Sequence, residues 1–501
     1  MAVRVIEDLV NNEKLHQALL SLLTFMAVAS IYAEIRDWQI LLSPTWTRLR
    51  RTYSRLVATA HDYLSGRYYK PWEPSQPIIV VSAKKQIAEF SEAACLSQRA
   101  VYADMFGFKH TMNKYSHNDN EHQLTRTRLH SRLLQVKAPA QLEALYPHLS
   151  NQLDNSLQEL GDSVCLPAAQ TLRRLVSNFM SFVFFGQVLT CGINLSEIAA
   201  DEEFSDALLQ YPRDMVKCMA AFQVTPSVIS PLVHSVLTRR GKAMRIIQSK
   251  TFDCMGPGRL KWQEPEQTKS LTIMNTLVEL TEGSDYWDAK LLSQSLLGIW
   301  FAASHQPWMN LHFILLELCS RQDWQTTLRQ ELQQNQPLDY KVLEGLPLLD
   351  AFIKETVRLN PLDTLAIRRK ALEPYDFSDH SLSVPAGATV CVSAYDLMHD
   401  SRTYAEPDAF DPTRFLPCKD SPTTQQQRRF VEVSESFPVW GYGSLACPGR
   451  FHASLAMKMV LSGILLAFDI SLEDPKARTK WHWETFAMPY ESTKVIFKRR
   501  T

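Results

Sequence analysis

The stretch that decides the fold lies near the C-terminal end of the 501-residue chain. It reads Trp440-Gly441-Tyr442-Gly443-Ser444-Leu445-Ala446-Cys447-Pro448-Gly449-Arg450-Phe451. Two glycines in a short loop permit positive φ and let the backbone approach a flat ligand closely. Pro448 suits the first turn of a helix, so the sequence predicts Cys447 at a helix N-terminus. Backbone N–H groups and the helix dipole stabilise an anion there, and we expect a lowered pKa for the Cys447 thiol.

Cys447 is the residue of this loop that can carry chemistry. An anionic sulfur is a good ligand for iron, and thiolate ligation of a haem pushes electron density toward cleavage of an O–O bond. The alternative is a buried structural cysteine beside a turn, which would be the better interpretation for a cysteine outside such a segment. The segment as a whole favours a metal ligand.

The loop resembles the haem-binding signature of the cytochrome P-450 superfamily, a phenylalanine-initiated glycine loop that ends in Cys-Pro-Gly-Arg. Trp440 stands where this family usually has phenylalanine, and Leu445 stands where an arginine or histidine usually meets a haem propionate. The resemblance implies heme b (iron protoporphyrin IX) as cofactor, with Cys447 as the axial ligand of the iron. It also implies that further loop residues contact this cofactor, namely Trp440, Gly441, Gly443 and Gly449.

Helical periodicity dominates the rest of the chain, with short apolar runs between the helices. The periodicity predicts helices over 291–319, 348–359 and 451–468. The apolar runs predict strands over 77–82, 389–393 and 494–497. Prolines scattered through 401–438 exclude a long helix there. We therefore expect a mainly α protein with small β-sheets, and the resemblance implies the cytochrome P-450 fold, an α-rich haem domain plus a smaller β region.

The amino-acid composition limits the kinds of partner and of structural cross-link to expect. Hydrophobic residues make up 45% of the chain, so a large core can be buried. The 53 basic and 53 acidic side chains cancel, which gives no reason to expect nucleic acid as a partner. The nine cysteines are scattered, odd in number and free of CxxC spacing, so neither a disulfide framework nor a structural zinc site is expected.

An uncharged segment from Leu15 to Ala33 precedes the body of the chain. As a helix it would be about 28 Å long, close to the hydrocarbon thickness of a bilayer. More basic residues follow it than precede it, which predicts a cytosolic body; the alternative is a buried amphipathic helix. We expect residues 1–45 to be an N-terminal membrane anchor and linker and residues 46–501 to be the catalytic domain. The expected location is the endoplasmic reticulum membrane, with a single-pass anchor.

A second motif, Glu-x-x-Arg, places Glu355 and Arg358 on one face of a predicted helix. Such a pair occurs by chance in a chain of this length and is usually a solvated surface pair. Here it precedes Cys447 by 92 residues (447 − 355) and is flanked by apolar residues. It resembles the family's Glu-x-x-Arg helix, and the segment around Arg414 resembles the family's meander. The resemblance implies a buried structural triad of Glu355, Arg358 and Arg414, which is viable only if every charge is paired.

Haem propionates need cations, and two segments resemble the family's propionate-binding elements. His122 and Arg126 lie four apart, as in the helix that binds one propionate. Arg369 resembles the strand arginine that reaches the other, although Arg368 is adjacent. The alternative for each is a solvated charge on a helix or strand.

The longest predicted helix resembles the family's central helix, in which an acid and a threonine carry protons toward the haem. His305 stands at the acid position and Gln306 at the threonine position. Pro307 lacks an N–H, so we expect a kink and a free carbonyl on Ala303 that can hold a water. Gln306, His305 and Ala303 are thus the catalytic candidates. Ser304 should point elsewhere, because two helical steps of about 100° separate it from position 306. The alternative is that His305 and Gln306 are satisfied polar groups in a kinked core helix.

The resemblance implies a haem-thiolate monooxygenase similar to the fungal secondary-metabolism branch. We expect it to oxidise a bulky apolar small molecule, a terpenoid or polyketide intermediate, with O2 and with electrons from NADPH through NADPH-cytochrome P-450 reductase. The alternatives are an atypical haem-thiolate catalyst of desaturation, rearrangement or coupling, and a non-catalytic haem protein that binds a ligand. The candidate pocket residues, each of which could equally be ordinary core, are Phe106, Phe222, Trp300, Phe301, Leu365, Phe486 and Met488.

Overall fold

The computed structural model describes residues 78–112, 123–186, 202–225, 227–255, 271–416 and 429–500. The predicted membrane anchor lies outside these residues. One described helix, Arg450–Ala467, is long and apolar enough to cross a membrane, but 67% of it is buried inside the protein. Burial on that scale is what a core helix shows.

Sixteen α-helices occupy most of the described chain. In the first half they are α1 Lys84–Glu92, α2 Gln98–Phe106, α3 Phe108–Thr111, α4 Gln123–Ser131, α5 Ala138–Gln158, α6 Ala168–Phe185, α7 Glu202–Val224, α8 Ser230–Leu237 and α9 Lys242–Met255. In the second half they are α10 Ile273–Leu280, α11 Ala289–Cys319, α12 Gln322–Gln334, α13 Tyr340–Gly345, α14 Pro347–Leu359, α15 Ala394–Met398 and α16 Arg450–Ala467.

The strands are short and form four small sheets. They are β1 Ile78–Val81, β2 Leu96–Ser97, β3 Ser163–Pro167, β4 Leu365–Ala371, β5 Tyr375–Asp376, β6 Ser383–Val384, β7 Thr389–Ser393, β8 Phe468–Leu472, β9 Lys480–Trp483, β10 Phe486–Pro489 and β11 Lys494–Arg499. The largest sheet has the order β1-β7-β4-β2, in which β1 and β7 are parallel and the other pairs antiparallel. The expectation of a mainly α fold with small sheets is confirmed.

The central helix α11 organises the core. Asp288 caps its start by accepting a hydrogen bond from the amide of Leu291 over 2.7 Å, and the helix runs through Pro307 to Cys319 without a break. A helix that is apolar on nearly every side must be buried, and α11 packs against α6, α9, α14 and α16. Proline removes one main-chain hydrogen bond here but does not end the helix, because its neighbours hold it in place.

The predicted element boundaries hold to within a few residues. The predicted helix over 451–468 spans Arg450–Ala467, and the strand over 494–497 extends to Arg499. The proline-rich stretch forms short 3-10 turns, at Pro412–Phe415 and Pro438–Trp440, in its described parts. These turns bring the glycine loop to the N-terminal end of α16.

Candidate active site

The glycine loop closes through one main-chain hydrogen bond. The amide of Cys447 donates to the carbonyl oxygen of Trp440 over 2.5 Å. Gly441 and Gly443 have φ of 79° and 60°, a region that glycine adopts without strain. Trp440 is buried, donates from Nε1 to the carbonyl of Phe430 over 2.6 Å, and meets the Phe430 ring edge-on at 5.0 Å between centroids. The loop therefore has a defined shape that presents Cys447 beside the end of α16.

The electrostatics of Cys447 differ from the sequence prediction. Burial raises the pKa of the thiol, while the amides of Gly449 and Arg450 and the guanidinium of Arg450 act in the opposite direction. The predicted lowering of this pKa is wrong, because helix α16 begins at Arg450 instead of Pro448 and the loss of solvation outweighs the amides. Coordination to a metal cation deprotonates a thiol outright, so an iron ion would reverse this balance.

The central helix exposes one small area in its middle. Over residues 291–319, all of which the structure describes, Ala302 and Gln306 are the exposed side chains, and they lie one turn apart on one face. An alanine on this face leaves room for a flat ligand. Ser304 donates from Oγ to the carbonyl of Trp300 over 2.7 Å on the buried side of the helix, so it points away from that face.

His305 lies in an aromatic stack beside this exposed area. Its ring is stacked on Phe301 at 5.6 Å and meets Trp308 edge-on at 6.0 Å. Burial, and secondly the charge of Arg173, lowers the pKa of His305 to about 4. The imidazole is therefore neutral near pH 7, and can pass a proton on only by receiving one at its other nitrogen. Among the described residues no hydrogen bond joins His305 to Gln306, so a relay between these two stays a prediction.

Arg173 is a buried charge that sequence patterns did not single out. Its guanidinium lies 4.3 Å from the centroid of the Trp308 ring and donates to the carboxylate of Glu491 over 2.6 Å. It also contributes to the lowered pKa of His312, which burial brings to about 4. No local signal could have identified Arg173, because its partner is 318 residues away in the chain.

Four of the seven candidate pocket residues divide into two groups. Phe106 and Phe301 meet edge-on at 5.0 Å, next to the exposed area of α11. Trp300 instead points into the core, where its Nε1 donates to the carbonyl of Leu208 over 3.0 Å. Phe222 is buried against Gly107, whose φ is 60°. Residues 300 and 301 lie on different faces of α11, so one side chain points into the core and the other toward the exposed area.

The β9–β10 hairpin carries Glu484, a polar residue that the sequence analysis did not predict to be part of the site. Glu484 at its tip has a φ of 51°, uncommon for a residue with a side chain. Its Oε2 accepts from Gln223 Nε2 over 2.9 Å, and Gln223 Oε1 accepts from Trp483 Nε1 over 2.6 Å. Burial raises the pKa of Glu484 to about 7, with Arg368 opposing. Gln223 thus fastens α7 to the hairpin.

Glu355, Arg358 and Arg414 meet in one cluster. Arg358 donates from Nε and Nη2 to both carboxylate oxygens of Glu355, over 2.7 and 2.8 Å, and both side chains are fully buried. Arg414 donates from Nε to Glu355 Oε1 over 3.2 Å, and the amide of Asp411 donates to the same oxygen over 2.9 Å. Every carboxylate oxygen therefore has a charged partner, as burial requires. This geometry agrees with the predicted triad.

Two of the predicted propionate-binding residues, Arg126 and Arg369, are buried side chains. Arg126 on α4 is 4% exposed and donates from Nη1 to the Tyr286 hydroxyl over 2.7 Å, while His122 lies outside the described residues. Arg369 is 3% exposed and donates from Nη1 to the carbonyls of Ala93 and Leu96 over 3.0 and 3.2 Å. The assignment of these three residues to propionates stays a prediction.

These features together define a class of protein. A helical body, a half-buried cysteine whose sulfur receives two amide N–H groups, and a central helix with one exposed small residue fit a haem held by a thiolate. Cys447 would ligate the iron, and the loop glycines would lie against the ring. A family model described as Cytochrome P450 matches residues 36–497, and the chain belongs to the cytochrome P450 family.

Known relatives agree with this assignment. The chain is 25% identical over 466 residues to cytochrome P450 monooxygenase penP of Penicillium crustosum, covering 89% of this chain and 85% of the relative. It is 24% identical over 446 residues to cytochrome P450 monooxygenase AtmP of Aspergillus flavus, covering 85% and 80%. Retinoic acid bound cyanobacterial CYP120A1 matches in fold with a TM-score of 0.63 at 18% identity, over 84% of this chain and 89% of that one. The protein is a cytochrome P450 monooxygenase.

Proposed function

We propose that this monooxygenase oxidises a bulky apolar small molecule, a terpenoid or polyketide intermediate of fungal secondary metabolism. Electrons would come from NADPH through NADPH-cytochrome P-450 reductase, and heme b would be the cofactor. The similarity to fungal monooxygenases supports this choice of pathway. The observation that carries the substrate class is the aromatic wall of Phe106 and Phe301 beside Ala302, which offers a large ligand apolar contact and little hydrogen bonding.

Bound haem would supply the activation of O2 for insertion of one oxygen atom. The chain's own residues would orient the substrate and manage protons. Gln306 is exposed on the same face as Ala302 and can hold a water through its amide. Pro307 cannot donate to the carbonyl of Ala303, so that oxygen is available as a second acceptor for the same water. His305 is neutral and walled by aromatic rings, so its contribution is to exclude bulk water.

The test is to reconstitute the full chain with the reductase in phospholipid vesicles and to supply NADPH. Candidate substrates are the compounds that accumulate in a strain lacking this protein. A product heavier by one oxygen atom supports oxygen insertion. A product lighter by two hydrogens indicates desaturation, an unchanged mass indicates rearrangement, and joined molecules indicate coupling. Binding of the compound without NADPH consumption would instead identify a non-catalytic ligand-binding protein.

Gln306 provides a sharper prediction about protons. Gln306→Leu keeps the volume of the side chain but removes its amide, so we expect more hydrogen peroxide and less product per NADPH consumed. Gln306→Thr restores a polar group at the position where the family has its alcohol, and should retain the coupling of the native protein. Peroxide, product and NADPH are measured in the same reaction. An unchanged product yield in Gln306→Leu would show that the side chain only packs.

We further propose attachment to the endoplasmic reticulum membrane through residues 1–45, with α8 and the turn before it as a second contact. Val228, Leu232 and Val236 are 81%, 65% and 69% exposed and are spaced four apart, so they form one apolar face. The exposed Arg239 and Arg240 follow directly. Basic side chains at the end of an apolar helix face suit the surface of an anionic bilayer.

Deleting residues 1–34 should move most of the protein from microsomal membranes to the soluble fraction while the haem spectrum stays intact. In the shortened protein, Leu232→Glu should release the remaining bound fraction, because a charge cannot enter the apolar part of the bilayer. Val136→Glu is the matched control, since Val136 is 71% exposed and lies on a different helix. Equal release by the two substitutions would contradict the contact through α8. Full retention of the shortened protein would contradict the anchor.

A further inference from the structure

Helix α1 contacts the glycine loop directly at its last residue and, through Glu435, indirectly at its first residue. At its first residue, Lys84 Nζ lies 3.5 Å from Glu435, whose other oxygen accepts from the Tyr442 hydroxyl over 2.9 Å. At its last residue, Glu92 Oε1 accepts from the amide of Ser444 over 2.8 Å. The contact is made across 352 positions of the sequence. Helix α1 therefore braces the segment that leads to the cysteine ligand.

The position of Glu92 within α1 is unfavourable for the helix itself. The C-terminal end of a helix carries partial negative charge, and the last turn of α1 has no basic residue to offset a carboxylate. Compensation comes from outside the helix. The amide of Ser444 donates to Glu92, and the charge of Glu92 is felt by Arg369, whose pKa burial lowers to about 10 and Glu92 partly restores. The Glu92 carboxylate thus accepts a hydrogen bond from the loop and stabilises the charge of Arg369.

Gly443 shows how closely the loop fits this carboxylate. Its φ is 60°, and a Cβ added there would lie 2.3 Å from Glu92 Oε1. Real Cβ atoms essentially never approach another atom that closely, so a side chain at 443 would have to displace Glu92. Glycine at this position serves the backbone conformation and makes room for the carboxylate.

We propose that Glu92 is a positioning residue of the thiolate loop. Its carboxylate fixes the Ser444 amide three positions (447 − 444) before Cys447, and its charge lies near enough to favour the charged form of the Arg369 guanidinium. The next residue is Leu445, an apolar side chain where the family usually has a cation. The proposal rests on the proposed binding of haem through Cys447.

The experiment compares Glu92→Ala, Glu92→Gln and Glu89→Gln in the full-length holoprotein. Glu89 is the matched control, because it is a carboxylate on the same helix that accepts from Ser378 and Tyr375, away from the loop. The readouts are the rate of haem transfer to apomyoglobin, the thiolate share of the reduced carbon monoxide spectrum, and the midpoint potential of the haem. These report on loop geometry and charge, and turnover is not needed.

For Glu92→Ala we expect haem transfer to be about threefold faster, because an exposed hydrogen bond to a charged group is lost, with a smaller thiolate share of the spectrum. Glu92→Gln keeps an acceptor but removes the negative charge, so the midpoint potential should shift to more positive values while haem transfer changes less. Glu89→Gln should leave all three readouts as in the native protein. Equal behaviour of the Glu92 and Glu89 variants would overturn the proposal.

A double mutant tests whether Gly443 and Glu92 act through their direct contact. Gly443→Ala alone should accelerate haem transfer, since the new Cβ meets Glu92. In the Glu92→Ala background the clash is gone, so the second substitution should cost less than it does alone. Strictly additive effects would overturn the proposed fit. If the native protein itself shows no thiolate spectrum, haem ligation by Cys447 is overturned. Failure of the proposed function is therefore distinguishable from failure of the role proposed for Glu92.

Discussion

Replacing Cys447 by alanine abolishes the thiolate-type absorption of the reduced carbon monoxide complex: this is the largest spectroscopic effect that we expect from a single substitution. The sulfur is the thiolate donor of the loop, and the amides of Gly449 and Arg450 are already directed at it. Without it, a haem that enters the site has no anionic axial ligand. The measurement is a difference spectrum of the reduced protein with and without carbon monoxide, together with haem content per chain.

The control for this substitution is a buried cysteine elsewhere in the core. Cys319 at the end of α11 is 7% exposed, and burial raises the pKa of its thiol to about 12, with no amide acting in the opposite direction. Cys319→Ala should keep the thiolate spectrum at native intensity. A thiolate spectrum that survives in Cys447→Ala would show that the iron ligand is a different residue.

The sequence was sufficient for the fold and for the residues that act through local patterns. The Glu-x-x-Arg pair and the long apolar run over 291–319 depend on neighbours a few residues away and have the predicted structure. The glycine loop also forms, although the helix that follows it begins at Arg450 instead of Pro448. The separation of Ser304 from Gln306 follows from helical geometry alone. Residues whose contacts lie within one element or one turn can be predicted in this way.

Contacts between distant segments could not be predicted. Glu92 and Ser444 are 352 positions apart, and Arg173 and Glu491 are 318 apart. Nothing in the local sequence distinguishes Glu92 from Glu89, the other carboxylate on α1. The predicted pKa of the Cys447 thiol was wrong for a related reason. The helix end can be predicted from the sequence, but the burial that dominates this pKa is set by the folded chain.

Alanine at Glu355 or Arg358 should leave little haem-loaded protein, the largest loss of stability that we expect. Glu355→Ala leaves two guanidiniums without their carboxylate, and Arg358→Ala leaves a fully buried carboxylate with Arg414 as its one charged partner beside the amide of Asp411. Breaking a buried pair by removing one partner costs about 3–5 kcal/mol, a large part of the stability of an ordinary domain. Arg358 also donates to the carbonyls of Met398 and Pro407 over 2.7 and 2.6 Å, which then lose their donor.

The same geometry predicts an order among the variants. Arg414 is 11% exposed at its side chain and can be replaced in part by water, so Arg414→Ala should lose less haem-loaded protein than Arg358→Ala. Arg402→Ala is the control, because Arg402 is 89% exposed and pairs with Asp400 at the surface. Its expression, thermal midpoint and haem content should be native. The measurements are the haem content and the thermal midpoint of each variant. If Glu355→Ala and Arg358→Ala match Arg402→Ala in both, the cluster does not hold the meander to α14. The position of the thiolate loop would then depend on other contacts.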